Sequence, residues 1–403
     1  MRPIAETLLF ADAVRVVMKA ARPIARTERV AILAADGRVS SGDVRAAVDV
    51  PPFDRAAMDG YAVRAEDTFG SGPHAPSRLR LVDRVLTGQA AGRGVGPGEC
   101  VEIATGAPMP DGADAVVMVE ETETESEGDA VRILTPVYPR QNVGRRGADL
   151  AAGQMIVPAG AVLNPSRIGA LAGAGVTDVE VYGRPSVAIL STGNEIVPPG
   201  GPLGPGQIYD INRFTLESIV ARHGGIGVAM PIAADTRAEL GAALDAARAH
   251  DIIVFSGGSS VGERDLMLDV LRDKGDVLFH GIAVKPGKPT VFGTVGGTAV
   301  FGMPGYPTSC LSNAYMLLAP FLRLVARLPP WKPATVSAPL ARRVVSTTGR
   351  HQFFTVRIVD GRAEPAFKAS GDITSMAHAD GYIEIPAQTD VLEAGTVVTV
   401  TLF

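Results

Sequence analysis

Ile252-Ile253-Val254-Phe255-Ser256-Gly257-Gly258-Ser259-Ser260-Val261-Gly262 is a short apolar run that opens into glycines and hydroxyls ahead of a helix expected from Asp265. A buried strand ending this way aims backbone N–H groups at a ligand lying across the strand ends. Two more turns of this kind follow, Lys285-Pro286-Gly287-Lys288-Pro289 and Met303-Pro304-Gly305-Tyr306-Pro307. Another, Ser191-Thr192-Gly193-Asn194-Glu195, comes earlier, after Val187-Ala188-Ile189-Leu190. One glycine-rich turn is weak evidence, because glycine serves tight turns everywhere. Several in one segment, with Lys285 and Lys288 adding positive charge, point to a phosphate or oxyanion site.

Around these turns, strands expected at 187–190, 228–232 and 252–255 alternate with helices at 212–222, 237–249 and 266–274. Such alternation predicts a parallel sheet covered on both faces. Residues 48–143 instead carry short alternating runs separated by Gly, Pro and acidic residues, which predicts a β-rich domain. The acidic run 120–127 reads as a solvated hairpin tip. Residues 144–181, rich in Gly and Ala with a helix expected at 165–174, read as a linker domain. Pro329, Pro330 and Pro333 around Trp331 mark a boundary, since prolines end helices and stiffen the chain. Runs at 353–359 and 396–402 then predict a small β-barrel or sandwich.

At 403 residues and roughly 150 per domain, the chain should hold about three units. A net charge of -5 and no dense Lys/Arg run argue against nucleic acid or an anionic membrane as main partner. Cys100 and Cys310 are too few for a disulfide framework or a cysteine zinc site, which fits a reducing cytoplasm. The six histidines show no metal-ligand spacing. Residues 8–15 read as an amphipathic helix and not a signal peptide, and no segment approaches the ~18 apolar residues of a membrane span.

Several motifs then coincide: Pro51-Pro52-Phe53-Asp54-Arg55-Ala56-Ala57-Met58-Asp59-Gly60-Tyr61-Ala62, Thr105-Gly106-Ala107-Pro108-Met109-Pro110, Gly206-Gln207-Ile208-Tyr209-Asp210-Ile211-Asn212-Arg213, and the turns above. Together and in this order the chain resembles the molybdopterin molybdenumtransferases, the MoeA family that includes the C-terminal domain of gephyrin. The resemblance implies a multidomain α/β and β architecture. Residues 1–23 and 179–328 would form an α/β molybdopterin-binding domain, 24–46 and 144–178 an elongated dimerisation domain, 47–143 an inserted β-rich lobe, and 329–403 a C-terminal β-barrel. It also implies a homodimer with the site shared between subunits, and a molybdopterin adenylyltransferase as upstream partner.

The implied reaction takes adenylylated molybdopterin, releases AMP and inserts molybdate with the help of Mg²⁺. A pyrophosphate needs backbone donors and a divalent cation, and a tetrahedral oxyanion needs lysine or arginine with hydroxyls. By resemblance Asp59, Asp149, Glu195, Asp235 and Asp265 are the functional acids, Glu195 and Asp265 on the magnesium side, Asp59 and Asp149 from the partner subunit. The plain alternatives are a turn former at Asp59, and helix caps at Asp235 and Asp265. Thr105, Ser191, Thr192, Gly193, Asp210, Asn212, Ser256, Gly257, Gly258, Ser259, Gly262, Pro304, Gly305 and Pro307 are the implied substrate-binding set. Lys285 and Lys288, with Ser309 and Arg350, are the implied contacts for molybdate or phosphate.

Asn194, Ser259, Ala56 and Tyr306 depart from the commoner pattern of Asp, Val, Ser and Asn. Tungstate shares the charge and nearly the shape of molybdate, so these residues do not separate the two. Two other activities compete. An adenylyltransferase would be a single small domain, without the lobe carrying Asp59 or the β domain carrying Arg350. A gephyrin-like scaffold would bind a peptide stoichiometrically without releasing AMP.

Overall fold

The computed structural model describes residues 7–125, 129–257 and 266–403, and these fall into two compact units, one of residues up to 28 and from 182 onward, the other of residues 29–181. Among the described residues no helix is long and apolar enough to cross a membrane. The chain opens with helix α1 (Phe10–Ala20), whose Ala13 and Val17 are buried.

The unit of residues 29–181 is built on a mixed six-stranded sheet of β1 (Gly60–Val63), β2 (Ser77–Val85), β3 (Glu99–Ile103), β4 (Ala115–Met118), β5 (Thr122–Thr124) and β6 (Ala130–Ile133), in the order β4-β1-β3-β2-β6-β5. Alternate residues face opposite sides, as strand geometry requires. Tyr61, Val63 and Val117 enter one buried cluster and Ala62, Val101 and Val116 another. Helix α2 (Pro165–Gly173) is capped by Asn164, whose side chain accepts from the Arg167 N–H, and it buries Leu171 in a third cluster. β5 and β6 pair antiparallel, so the described part of the acidic run flanks a hairpin, and 126–128 lie outside the described residues.

The other unit contains β7 (Ser186–Ser191), α3 (Asn212–Arg222), β8 (Ile226–Ala229), α4 (Arg237–Ala247), β9 (Ile252–Ser256), α5 (Leu266–Lys274), β10 (Asp276–His280), β11 (Val284–Lys285), β12 (Val291–Val295) and β13 (Thr298–Met303). Its sheet has the order β8-β7-β9-β13-β12-β10. The first four strands are parallel, and β12 runs antiparallel to both its neighbours, so the expected parallel sheet is in fact mixed. The cause is a hairpin at Gly296-Gly297, a two-residue turn that a sequence of alternating strands and helices does not anticipate. β8 also ends before its expected limit: Ile226 N–H donates to Pro185 O and Met230 N–H to Ile189 O, and the next donor is Ala233 N–H on Ser191 O, so the ladder loses its register between Met230 and Ala233.

Both faces of this sheet are covered as expected. Val187, Ile189, Ile252 and Val254 pack with α1, α3 and the later helices, while Ala188, Leu190, Ile253 and Phe255 pack with α4 and α5. Helix α6 (Pro307–Asn313) runs through a wide π turn at Ala314–Leu318 into α7 (Ala319–Val325). Pro320 lacks the N–H that a regular turn would donate to Met316, which accounts for the widening.

The C-terminal strands β14 (Thr335–Pro339), β15 (His351–Val359), β16 (Arg362–Pro365), β17 (Gly381–Ile385) and β18 (Val397–Leu402) pair in the order β14-β18-β17-β15-β16. Leu340, directly after β14, bridges Ala363 in β16 and closes the ring into a small barrel around Leu340, Val356, Ile383 and Val400. β11 pairs with β15, so this sheet takes a strand from the α/β layer.

Candidate functional site

In the α/β layer the chain passes from β7 to β8 on one side, then crosses to β9 on the other. The C-terminal ends of β7 and β9 therefore flank the switch point, where open sheets of this class bind ligands. Register brings the ends level: Ser191 pairs with Ser256, and Ser256 with Met303. The ends of β7, β9 and β13 therefore lie side by side.

Their contacts are close. Thr192 N–H donates to Ser256 O at 3.1 Å, and Asn212 Nδ2 donates to Gly305 O at 2.8 Å. Gly257 has φ +98, and a Cβ there would lie 2.3 Å from Thr192 O. A Cβ on Gly305 would in turn lie 3.5 Å from Gly257 Cα. Ser191, Thr192, Asp210, Asn212 and Ser256 are buried, yet Ser191 Oγ, Asp210 Oδ2 and Asn212 Oδ1 have no hydrogen-bond partner among the described residues. Buried polar atoms are normally satisfied, so a cluster of orphans here marks a place for a polar ligand. The backbone N–H groups of Gly193, Gly305 and Tyr306 likewise find no partner among the described residues.

Asp235 and Glu195 form an acid pair at this rim. Burial and then the Glu195 charge push the Asp235 carboxyl above its ordinary range. Asp235 is not a helix cap, since Thr236 caps α4 by accepting from the Glu239 N–H at 3.2 Å. Its N–H donates to Asn194 Oδ1 at 3.3 Å, which gives the uncommon Asn194 a positioning contact. Asp235 Oδ1 is buried without a partner among the described residues. An orphaned oxygen beside a second carboxylate suits a hard divalent cation, so the pair fits the Mg²⁺ that the resemblance implies. Among the described residues, no group of three His, Cys, Asp or Glu side chains is placed to hold a metal. Asp265, Gly258, Ser259 and Gly262 lie outside the described residues.

The Lys285–Lys288 turn is held from two sides. Lys285 Nζ donates to Thr347 Oγ1 at 2.8 Å, and Arg350 N–H donates to Thr347 O at 3.3 Å, so one threonine links Lys285 to the turn carrying Arg350. Gly287 O accepts from Thr290 Oγ1 at 2.7 Å and from Asn313 Nδ2 at 3.0 Å. Pro304 follows β13, Pro307 opens α6 at a position where its missing N–H costs nothing, and Ser309 is buried in the first turn of that helix. Tyr306 is 66% exposed and so is not a packing residue. Thr347, Thr290 and Asn313 were not singled out from the sequence. Asn313 carries little signal of its own, because Thr308, Ser309 and Ser312 are polar neighbours in the same helix.

In the unit of residues 29–181, Asp59 Oδ1 accepts from Thr105 N–H at 2.7 Å and from Thr105 Oγ1 at 2.9 Å. Those bonds, the backbone one first, hold the Asp59 carboxyl below its ordinary range. Asp59 precedes β1 and Thr105 follows β3, neighbouring antiparallel strands whose ends meet. Asp149 is exposed, with its N–H donating to Val50 O at 3.0 Å. A separate groove of about 470 Å³, lined by Phe10, Tyr315, Trp331 and Tyr382 among others, contains none of the expected site residues.

Residues 8–175 match the family described as MoeA N-terminal region (domain I and II), 188–324 the probable molybdopterin binding domain, and 337–403 the MoeA C-terminal region (domain IV). Molybdopterin molybdenumtransferase 2 of Mycobacterium tuberculosis is 37% identical over 391 residues, covering 94% of this chain and 95% of that protein. Molybdopterin molybdenumtransferase of Nostoc is 35% identical, over 91% of this chain and 84% of its own length. The crystal structure of a molybdopterin biosynthesis MoeA protein from Pyrococcus horikoshii superposes with a TM-score of 0.85 at 40% identity, over 98% of this chain and 99% of that one. On a strand-end site of this build and likeness along nearly its whole length, the chain belongs to the MoeA family of molybdopterin molybdenumtransferases.

Proposed function

We propose that this protein acts in molybdenum cofactor biosynthesis as a molybdopterin molybdenumtransferase, taking adenylylated molybdopterin, releasing AMP from its phosphoanhydride and inserting molybdate. The observation that carries this reading is the meeting of three level strand ends, with orphaned polar atoms beside them, at the switch point of the sheet. N–H groups of Gly193, Gly305 and Tyr306, unpartnered among the described residues, suit the phosphates, whose charge would be met without reorganisation. Lys285 and Lys288 suit molybdate. Glu195 and Asp235, with Asp265, would hold Mg²⁺, which offsets charge developing on the phosphate oxygens.

The proposal includes a homodimer in which Asp59 and Asp149 of each copy act with the turns of the other, and an adenylyltransferase supplying the substrate. Purified protein given adenylylated molybdopterin, Mg²⁺ and molybdate should release AMP and form active cofactor. Asp59→Asn and Lys288→Ala should each be inactive, and mixing them after gentle dissociation should restore activity through hybrid dimers. Restoration failing would remove the shared site. ATP-driven adenylylation of molybdopterin without molybdate would replace the reading with an adenylyltransferase, and peptide binding without AMP release would replace it with a scaffold.

A further inference from the structure

The geometry points to Asn313 and Thr290 as positioning residues that set the direction of the Lys288 anion contact. This rests on the reading of the Lys285–Lys288 turn given above. Asn313 is fully buried at the end of α6, immediately before the π turn. Its two amide hydrogens are both used, one on Gly287 O at 3.0 Å and the other on Thr290 Oγ1. Thr290, also fully buried, spends its own hydrogen on Gly287 O at 2.7 Å. This donor pattern leaves one consistent orientation of the amide, with Oδ1 unpartnered among the described residues.

Two buried donors thus pin the Gly287 carbonyl inward. The Gly287–Lys288 peptide is trans, so its N–H points away from its carbonyl. Inward pinning of the carbonyl aims the Lys288 N–H outward, and that N–H has no partner among the described residues. Lys288 O is fixed as well, accepting from Ile282 N–H at 3.0 Å and Thr290 N–H at 2.9 Å. With both ends of the residue held, the side chain leaves the backbone in one direction. Gly287 lies against the Asn313 amide, where a Cβ at residue 287 would come 2.4 Å from Nδ2. Only glycine at 287 leaves room for the amide, whose two hydrogen bonds hold it there, and the loop meets an oxyanion already shaped to receive it.

The test is calorimetric binding of molybdate and, separately, of adenylylated molybdopterin to the full chain. Asn313→Leu, near in size and without donors, should weaken molybdate binding roughly tenfold, as should Thr290→Val, because each removes one buried donor from the same carbonyl. Thr290→Ser, which keeps the hydroxyl, should stay near wild type. The double change should cost less than the sum of the singles. Affinity for adenylylated molybdopterin should move less than about twofold, a split that general loosening of the fold would not give. If the Asn313 and Thr290 variants bind molybdate normally while Lys288→Ala does not, the positioning roles are wrong and the anion site stands. If Lys288→Ala binds molybdate as wild type does, the anion-site reading and this inference both fail.

Discussion

Gly257 shows how little freedom the site leaves a single residue. Its backbone occupies a region disfavoured for L side chains, and the position a Cβ would take is filled by the Thr192 carbonyl. Gly257→Ala must therefore push the β7 and β9 turns apart. It should lower affinity for adenylylated molybdopterin at least tenfold and destabilise the protein by about 1–3 kcal/mol, as strained backbone positions do. Calorimetry and urea melts read the two effects, and unchanged binding would show that the ligand does not lie against this turn. Asp235 is the converse case, a residue whose role emerges from what it fails to do. It neither caps α4 nor satisfies its buried oxygen.

At the scale of elements, periodicity carried far. α3 and α5 occupy the expected 212–222 and 266–274, because apolar faces, turn residues and strand alternation agree there. The β12–β13 hairpin did have a local signal, Gly296-Gly297 between two short runs, which the strand–helix alternation of the preceding residues overshadowed. The strand-end turns were legible as glycines, but not the orphaned atoms behind them. Asn313 and Thr347 act across long sequence separations, Asn313 on Gly287 and Thr347 on Lys285, and no local pattern encodes such a contact. The Asp59–Thr105 bond likewise needed the β1–β3 pairing to appear.

For the larger unit as a whole, His223 sets a limit on acid stability. It is 1% exposed, edge-on to Trp331 with ring centroids 5.1 Å apart, and neither ring nitrogen has a partner among the described residues. Burial, and then the charges of Arg323 and Arg222, push its pKa down to about 4. The unfolded chain therefore binds this proton more readily than the folded one, so the contribution is intact above pH ~6.5 and falls as pH drops toward 4. The loss is on the order of 3 kcal/mol at about 1.4 kcal/mol per pH unit. His223→Phe should flatten that part of the urea-stability profile, and parallel profiles for variant and wild type would contradict the assignment.

On the proposed reading, the oxyanion is handled at the Lys285–Lys288 turn, where β11 pairs with β15 beside the turn carrying Arg350. The most direct measurement is the tungsten anomalous peak in crystals of the protein soaked with tungstate, which shares the shape and charge of molybdate. The account places that peak within contact distance of Lys288, near Lys285 and Arg350. A dominant peak away from these turns, with Lys288→Ala crystals showing the same peak, would contradict it.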